Sequence, residues 1–352
     1  MPRLLRLIAA GIAATIMFIA PSQIGFASLP SRVTPNEPAA TIAAADWIVA
    51  QLGKSDHVGS GAGDSAGAAI ALVAAGDAKY ATARATLTKY LKAQAKKYAV
   101  TPEASAMLAI TAMTLGEKAT DFGGVDLIGG VKAGTKADGS FGSYPGPFAS
   151  GLGIVALARA GEKVPDQMVR FLLNYATSDG GFTYAKGTPT DADSTGMALL
   201  GLLAAKNVPD AADAATKAAD WAAGHTVAPG YWEGYSPVNS TAIMGSAMQA
   251  AGKDVKAAAT WVAAQATADG GLPNAKGGQK SDLLATTQGI LLLAGTDYLK
   301  VGTVTATPSP TPQPDPNAPA SPTGPFWGIA LAVAAVAAIG IGYWIVYRKR
   351  KA

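Results

Sequence analysis

The chain has no cysteine and only two histidines, His57 and His225, among its 352 residues. Without cysteine there can be no disulfide, thiol nucleophile, thiolate zinc site or iron–sulfur cluster, and two histidines are too few for a histidine-rich metal site. Charge is scarce as well: 15% of residues are charged against 49% hydrophobic, which is apolar for a wholly soluble chain. The formal net charge of +4 does not describe a basic surface. Arg3, Arg6, Arg348, Lys349, Arg350 and Lys351 lie in the two end segments, which hold no Asp or Glu; without these six, 22 basic residues face 24 acidic ones. A nucleic-acid partner is therefore not expected.

What is present first is two apolar ends. Arg3 and Arg6 precede an apolar run from Leu7 to Ala20, then come Pro21 and the small residues Gly25 and Ala27 at the −3 and −1 positions of a cleavage site. This predicts a secretory signal peptide over 1–27, the run being shorter than the roughly 20 residues of a spanning helix. At the other end, residues 326–347 carry no charge, with Trp327, Tyr343, Trp344 and Tyr347 near the boundaries and Arg348 to Lys351 behind them. A helix there would span about 33 Å, which predicts one transmembrane helix of type I topology. Residues 301–325 hold 8 prolines and predict a polyproline stalk. The tail also resembles a sortase sorting signal, although Ala320-Ser321-Pro322-Thr323-Gly324 keeps only the Thr-Gly pair of that motif. The alanine-rich, Thr/Pro-punctuated composition is in keeping with a bacterial source.

Between residues 41 and 300 the chain repeats. Ser65, Ser105, Ser150, Thr195, Thr241 and Thr287 each open a nearly uncharged run of Ala, Leu, Ile and Met, at separations of 40, 45, 45, 46 and 46 residues. The runs end at Gly76, Gly116, Gly161, Gly252 and Gly295, with Lys206-Asn207 replacing the glycine in the fourth unit; Gly or Asn there suits a left-handed helix end. A more charged amphipathic helix is predicted before each run, at 42–53, 80–97, 124–134, 166–177, 211–224 and 254–267. Six helical hairpins follow. A single hairpin cannot bury its own apolar face, so stacking is obligatory, and with no polar end unit the expected arrangement is a closed ring, uncharged helices inside.

Trp261-Val262-Ala263-Ala264-Gln265 followed by Asp269-Gly270-Gly271-Leu272, and Phe171 followed by Asp179-Gly180-Gly181-Phe182, resemble the repeats of the prenyltransferase and squalene-cyclase type of α/α toroid. Trp47 with Gln51 repeats the first half of that signature, and Trp221 with His225 approximates it. The family spans class II terpene cyclases, prenyltransferase β-subunits, complement thioester domains and cobalamin carriers. The resemblance implies an all-α, α6/α6 toroid. The Asp-Gly-Gly turns themselves need no more than turn chemistry to explain them.

Each chemistry of that family can be held against the residues. Zinc-dependent prenyl transfer and thioester formation need the missing cysteine. Class II cyclases carry Asp-x-Asp-Asp, of which Asp191-Ala192-Asp193-Ser194 keeps the first two acids; the resemblance makes Asp193 the candidate acid and Asp191 its companion. Against this, Asp191 to Thr195 reads as a helix-capping segment whose carboxylates a helix N-terminus stabilises. Carriers instead hold a large ligand at the mouth of the ring. Loops entering the third to fifth inner helices are long and aromatic: Phe141, Tyr144 and Phe148; Phe182 and Tyr184; Tyr231, Trp232 and Tyr235. With Asp138, Asp179, Asp191, Asp193 and Glu233 they would suit a flat ligand or a sugar.

The sequence thus predicts a signal peptide (1–27), a linker (28–40), a toroid domain (41–300), a stalk (301–325), a transmembrane helix (326–347) and a basic cytoplasmic tail (348–352). The function expected is an extracellular, membrane-tethered binding or scaffolding module rather than an enzyme. Its ligand-binding residues are Phe141, Tyr144, Tyr184, Asp191, Asp193, Tyr231, Trp232 and Tyr235, with Trp232 the anchor. No metal and no cofactor is expected beyond a corrinoid as a bound ligand. The partners would be a small molecule or a surface protein, and the alternative is a terpene cyclase-like enzyme using Asp193.

Overall fold

The computed structural model describes residues 37–53 and 55–303. The signal peptide, the N-terminal part of the linker, the stalk beyond Thr303, the transmembrane helix and the tail lie outside the described residues. Among the described residues no helix is long and apolar enough to cross a membrane.

The fold is all-α. Six amphipathic helices, α1 (Glu37–Leu52), α3 (Ala81–Tyr98), α5 (Leu127–Ala133), α7 (Asp166–Leu173), α9 (Ala211–Gly224) and α11 (Lys256–Ala263), alternate with six apolar ones. The latter are α2 (Ala62–Ala74), α4 (Pro102–Thr114), α6 (Pro147–Arg159), α8 (Ala192–Ala204), α10 (Pro237–Ala250) and α12 (Leu283–Leu293). Among the described residues the extended pairings are isolated bridges such as Ala176 to Phe182 and Val227 to Tyr231.

Burial separates the two sets. Along α3 the buried residues Ala83, Leu87, Leu91 and Ala95 recur every fourth position, one stripe of a helix whose other faces meet solvent. In α10 every residue from Val238 to Met248 is buried, and in α12 every residue from Ala285 to Leu293. A helix buried all round must be nearly uncharged, which is the composition that marked these runs in the sequence.

The helix ends follow the repeat. Gly76, Gly116, Gly161, Gly252 and Gly295 all adopt φ between 72° and 76°, the left-handed conformation that lets the chain leave a helix without a Cβ clash. The fourth unit departs from expectation: its left-handed residue is Asp210, at φ 67° before α9, and not Asn207. Helix α1 begins at Glu37 and so takes four residues of the expected linker. In the hydroxyl register, Ser65, Thr195 and Thr241 accept hydrogen bonds from the backbone of Val58, Phe182 and Trp232. In the last unit this tie is made by Thr286, to Leu272, and not by Thr287.

Neighbouring apolar helices pack in sequence, α2 on α4, α4 on α6, α6 on α8, α8 on α10 and α10 on α12, and α12 packs in turn on α2 and on α1. Between units the Asp-Gly turns do the fastening. Asp179 accepts from the indole of Trp221 on α9 at 3.2 Å, and Asp269 from the indole of Trp47 on α1 at 2.9 Å. Burial pushes the Asp269 carboxyl up, but hydrogen bonds from Ser281, Thr267 and Trp47 outweigh it and hold the group below its usual range. The glycine that follows lies flat against the same partner helix: a Cβ on Gly270 would stand 3.0 Å from the carbonyl oxygen of Ala43, and one on Gly139 1.9 Å from that of Gln167 on α7.

Two glycine substitutions separate strain from collision. Gly187 has φ +81° with nothing near its absent Cβ, and Gly139 has φ +86° with the Gln167 carbonyl in the way. Gly187→Ala should cost about 1 kcal/mol and Gly139→Ala roughly 3 kcal/mol or more, read by urea denaturation. Equal losses would show that the turn does not dock as described.

Candidate functional site

The loops that precede α6, α8 and α10 come together. Tyr175 donates to the carbonyl of Pro145 at 3.2 Å, joining the turn before the α8 loop to the α6 loop. A Cβ on Gly146 would touch the carbonyl oxygen of Tyr184 at 3.4 Å. Ser240, in the first turn of α10, donates to Asp193 in the first turn of α8 at 2.8 Å, and Gly234 packs over both. From the other side Glu103, at the start of α4, accepts from the backbone of Ser143 and Tyr144 at 2.7 and 3.2 Å and fixes the loop that carries Tyr144.

The aromatic residues of these loops divide into two sets. Phe141, Phe182, Tyr231 and Trp232 are buried. Tyr144, Phe148, Tyr184 and Tyr235 are exposed, Tyr235 by 82%. Trp232 retains 4% of its surface; its indole donates to the carbonyl of Ala222 at 2.8 Å and its backbone to Thr241, so it fastens the end of α9 to α10. Tyr231 stacks on Trp261 at 4.4 Å, with Lys276 at 4.7 Å from the ring centroid, donating to its hydroxyl. The expected anchor role of Trp232 therefore does not fit its position, nor do contact roles for Phe141 and Tyr231, whose rings are packed away. The repeat held the signal. The third to sixth units each place an apolar residue two positions after a turn glycine, Phe182 and Leu272 in the clearest cases, and Phe141 and Trp232 occupy the same station.

Of the acids, Asp138, Asp179 and Glu233 are exposed, the first two engaged in their own turns. Asp191 and Asp193 are half-buried. Asp191 caps α8, accepting from the backbone of Ser194 at 2.7 Å through one oxygen, while its other oxygen is buried and without a partner. Burial pushes the Asp193 carboxyl up to about 6, with the neighbouring charge of Asp191 adding to the shift and Ser240 opposing it. Burial raises Asp191 as well. The expected stabilisation of these carboxylates by the helix end is thus outweighed by desolvation. A residue that sequence reasoning missed is Asn239 of α10: buried, its amide nitrogen donates to Gln288 of α12 at 3.1 Å while its carbonyl oxygen has no partner.

Two clefts lie elsewhere. One of about 360 Å³ is lined by Lys163, Pro165, Asp166, Gln167 and Arg170. The other, about 370 Å³, lies among Glu37, Gln249, Lys253, Val255 and Leu292. His57 stacks on Tyr90 and pairs with Asp56, and His225 stacks on Trp221. Among the described residues no three His, Cys, Asp or Glu side chains group to hold a metal.

No family model matches the chain, and no curated protein matches it. Among solved structures it is similar to a protein from Actinoplanes, with a TM-score of 0.55 and 16% identity over 74% of this chain and 98% of that one. At that identity the likeness is one of fold.

Two measurements follow from the burial pattern. Trp232→Ala should lose about 3–5 kcal/mol of stability, and Tyr235→Ala should stay within about 0.5 kcal/mol of the parent; similar melting temperatures for the two would contradict their placement. Because the folded Asp193 binds its proton more tightly than the unfolded chain does, stability should fall as pH rises from about 4 to about 6 and then level off. Asp193→Asn should flatten that slope and stabilise the protein at pH 7 by on the order of 1–3 kcal/mol, which denaturation at a series of pH values would check.

Proposed function

We propose that the chain is an extracellular, membrane-tethered binding or scaffolding module built on an α6/α6 toroid of the prenyltransferase and squalene-cyclase type. Supporting the ring are the packing of α12 on α2 and α1, the bond from Trp47 to Asp269 and the contact of Gly270 with Ala43. In a ring of six equal neighbours the distance from the centre to each helix axis equals the spacing between axes, about 8–10 Å. A helix with its side chains has a radius of about 5–6 Å, so only roughly 3–4 Å remains. That space suits side chains and not a ligand, and binding moves to the rim.

The observation that carries the reading is the set of exposed rings, Tyr144, Tyr184 and Tyr235 on loops that converge beside Asp191 and Asp193, with Phe148 in the first turn of α6. Aromatic faces and a few polar groups in one place are what a small molecule or a surface partner protein would use. A corrinoid would lie across these open faces. The cleaved signal, the stalk and the single span at 326–347 belong to the same proposal, with wall attachment by a sortase as its lesser variant.

The second reading is a terpene cyclase-like enzyme with Asp193 as the acid. What favours it is the carboxyl raised to about 6 with Ser240 beside it. Opposing it, Asp191 is engaged as the cap of α8 and Asp193 by Ser240, as in an ordinary capping segment.

Mass spectrometry of small molecules that co-purify with residues 28–325 tests the binding reading: a compound retained by the parent and lost from a Tyr144→Ala, Tyr184→Ala, Tyr235→Ala variant is the expected result. Turnover of a polyprene that Asp193→Asn abolishes would replace it with the cyclase. Deleting 326–352 should move the protein from the membrane fraction to the medium, because one apolar span is its only strong anchor; a deletion product that stays with the membrane would defeat the tether.

A further inference from the structure

Helix α3 differs from the other five amphipathic helices in its charge. It carries Arg84, Lys89, Lys92, Lys96 and Lys97 and no acid, whereas none of the others holds more than one basic residue. Outside the two end segments the chain has 22 basic and 24 acidic residues; without α3, 17 basic residues face the same 24 acids. The positive charge of an otherwise acidic chain is gathered on one helix of 18 residues.

Helix stability does not call for this. The macrodipole accounts for Lys96 and Lys97 in the last turn, but it equally favours acids in the first turn, where α3 has none. Lys92 and Lys96, four residues apart, repel each other. Two of the five charges have partners within the fold: Lys92 pairs with Glu117 at 2.8 Å, and Arg84 donates to the carbonyls of Leu72 and Asp77 at 3.3 Å. Lys89, Lys96 and Lys97 are exposed, and the ion pairs among the described residues include none of them.

At about 100° per residue, Lys89 and Lys96 stand roughly 160–180° from the middle of the buried stripe of Ala83, Leu87, Leu91 and Ala95, and about 10 Å apart along the axis. The other exposed residues of α3 are Ala81, Thr82, Ala85 and Ala93. The outward face is a low ridge with cations standing on it.

That composition selects the partner. A protein interface needs a large aromatic or aliphatic anchor, and an amphipathic helix enters a bilayer by its apolar face. The apolar face of α3 is buried in the core, and its exposed residues supply no anchor. Single-stranded nucleic acid calls for rings on which its bases stack, and no exposed residue of α3 is aromatic. A linear polymer with a charge on each repeat needs none of these, because it binds by charge and by the release of its counterions. Lysine is a point charge that suits phosphate, whereas a planar carboxylate is gripped best by the fork of an arginine. The one arginine of α3 is turned to backbone carbonyls.

We propose that the outward face of α3 binds a linear phosphate polymer through Lys89, Lys96 and Lys97. This surface shares no residue with the rim, and the binding reading of the rim stands or falls without it.

The test is calorimetric titration of the full chain in detergent micelles with inorganic polyphosphate, polyglutamate and glycerophosphoglycerol, the free headgroup of an anionic lipid. Polyphosphate should bind, and its affinity should fall roughly twentyfold between about 50 and 200 mM salt, as three neutralised phosphates require. The variant Lys89→Glu, Lys96→Glu, Lys97→Glu should weaken it at least about tenfold. Its folding is checked by circular dichroism melts, and Lys89→Gln, Lys96→Gln, Lys97→Gln, which keeps the helix propensity, should weaken binding in the same direction. A control, Lys163→Glu, Lys217→Glu, Lys253→Glu, makes the same change of net charge at other exposed positions and should leave the affinity within about twofold. Equal losses in the α3 and control variants overturn the inference, as does a chain that ignores polyphosphate. Polyglutamate bound as tightly as polyphosphate overturns the choice of phosphate, and a headgroup bound as tightly as the polymer rejects the polymer in favour of a bilayer.

Discussion

A Cβ on Gly151 would stand 2.3 Å from the carbonyl oxygen of Met197, and one on Gly201 2.9 Å from the Cα of Gly151. Helices α6 and α8 therefore meet backbone to backbone. Glycine repeats the device at Gly196, against the backbone of Met244, while Gly245 makes room for the side chain of Leu292. Such close approach is available only to helices made of very small residues, and it leaves no room for a charged side chain between them. The alanine and glycine content of the apolar helices, their all-round burial and their lack of charge are three consequences of that single constraint.

The same constraint decides where chemistry can be. Helices packed this tightly fill the middle of the fold with their own side chains, so polar groups collect at the helix ends, where free backbone amides need partners. At the start of α8 that requirement brings in Asp191 as a cap, and Asp193 two residues later is held under the first turn of α10 by Ser240. Two effects then compete for the Asp193 proton. The helix end and the serine hydroxyl favour the carboxylate, while burial and the charge of Asp191 favour the acid, and burial prevails. In contrast, Asp269 is also partly buried but collects hydrogen bonds from Trp47, Thr267 and Ser281, and it is held low. Similar carboxylates are held low in one place and raised in another, according to the number of donors supplied.

Sequence periodicity by itself determined the helical content, the alternation of amphipathic with apolar helices and the glycines that end them, because each of these is a local property: side-chain volume, charge and the φ that a residue tolerates. It also placed the Asp-Gly-Gly turns as structural parts. What it could not decide was the direction of side chains within one loop. Trp232 and Tyr235 stand three residues apart in a loop of similar composition, yet one is packed against α9 and the other is open to solvent. Reading the aromatic residues as a single set made Trp232 the anchor. The environment of Asp193 was equally hidden, since Ser240 lies 47 residues further along the chain and the open oxygen of Asn239 depends on Gln288, 49 residues beyond it. Residue types and spacing follow from local chemistry, whereas desolvation and unmet hydrogen bonds are properties of what surrounds a group, and only the packing of α8, α10 and α12 supplied those surroundings.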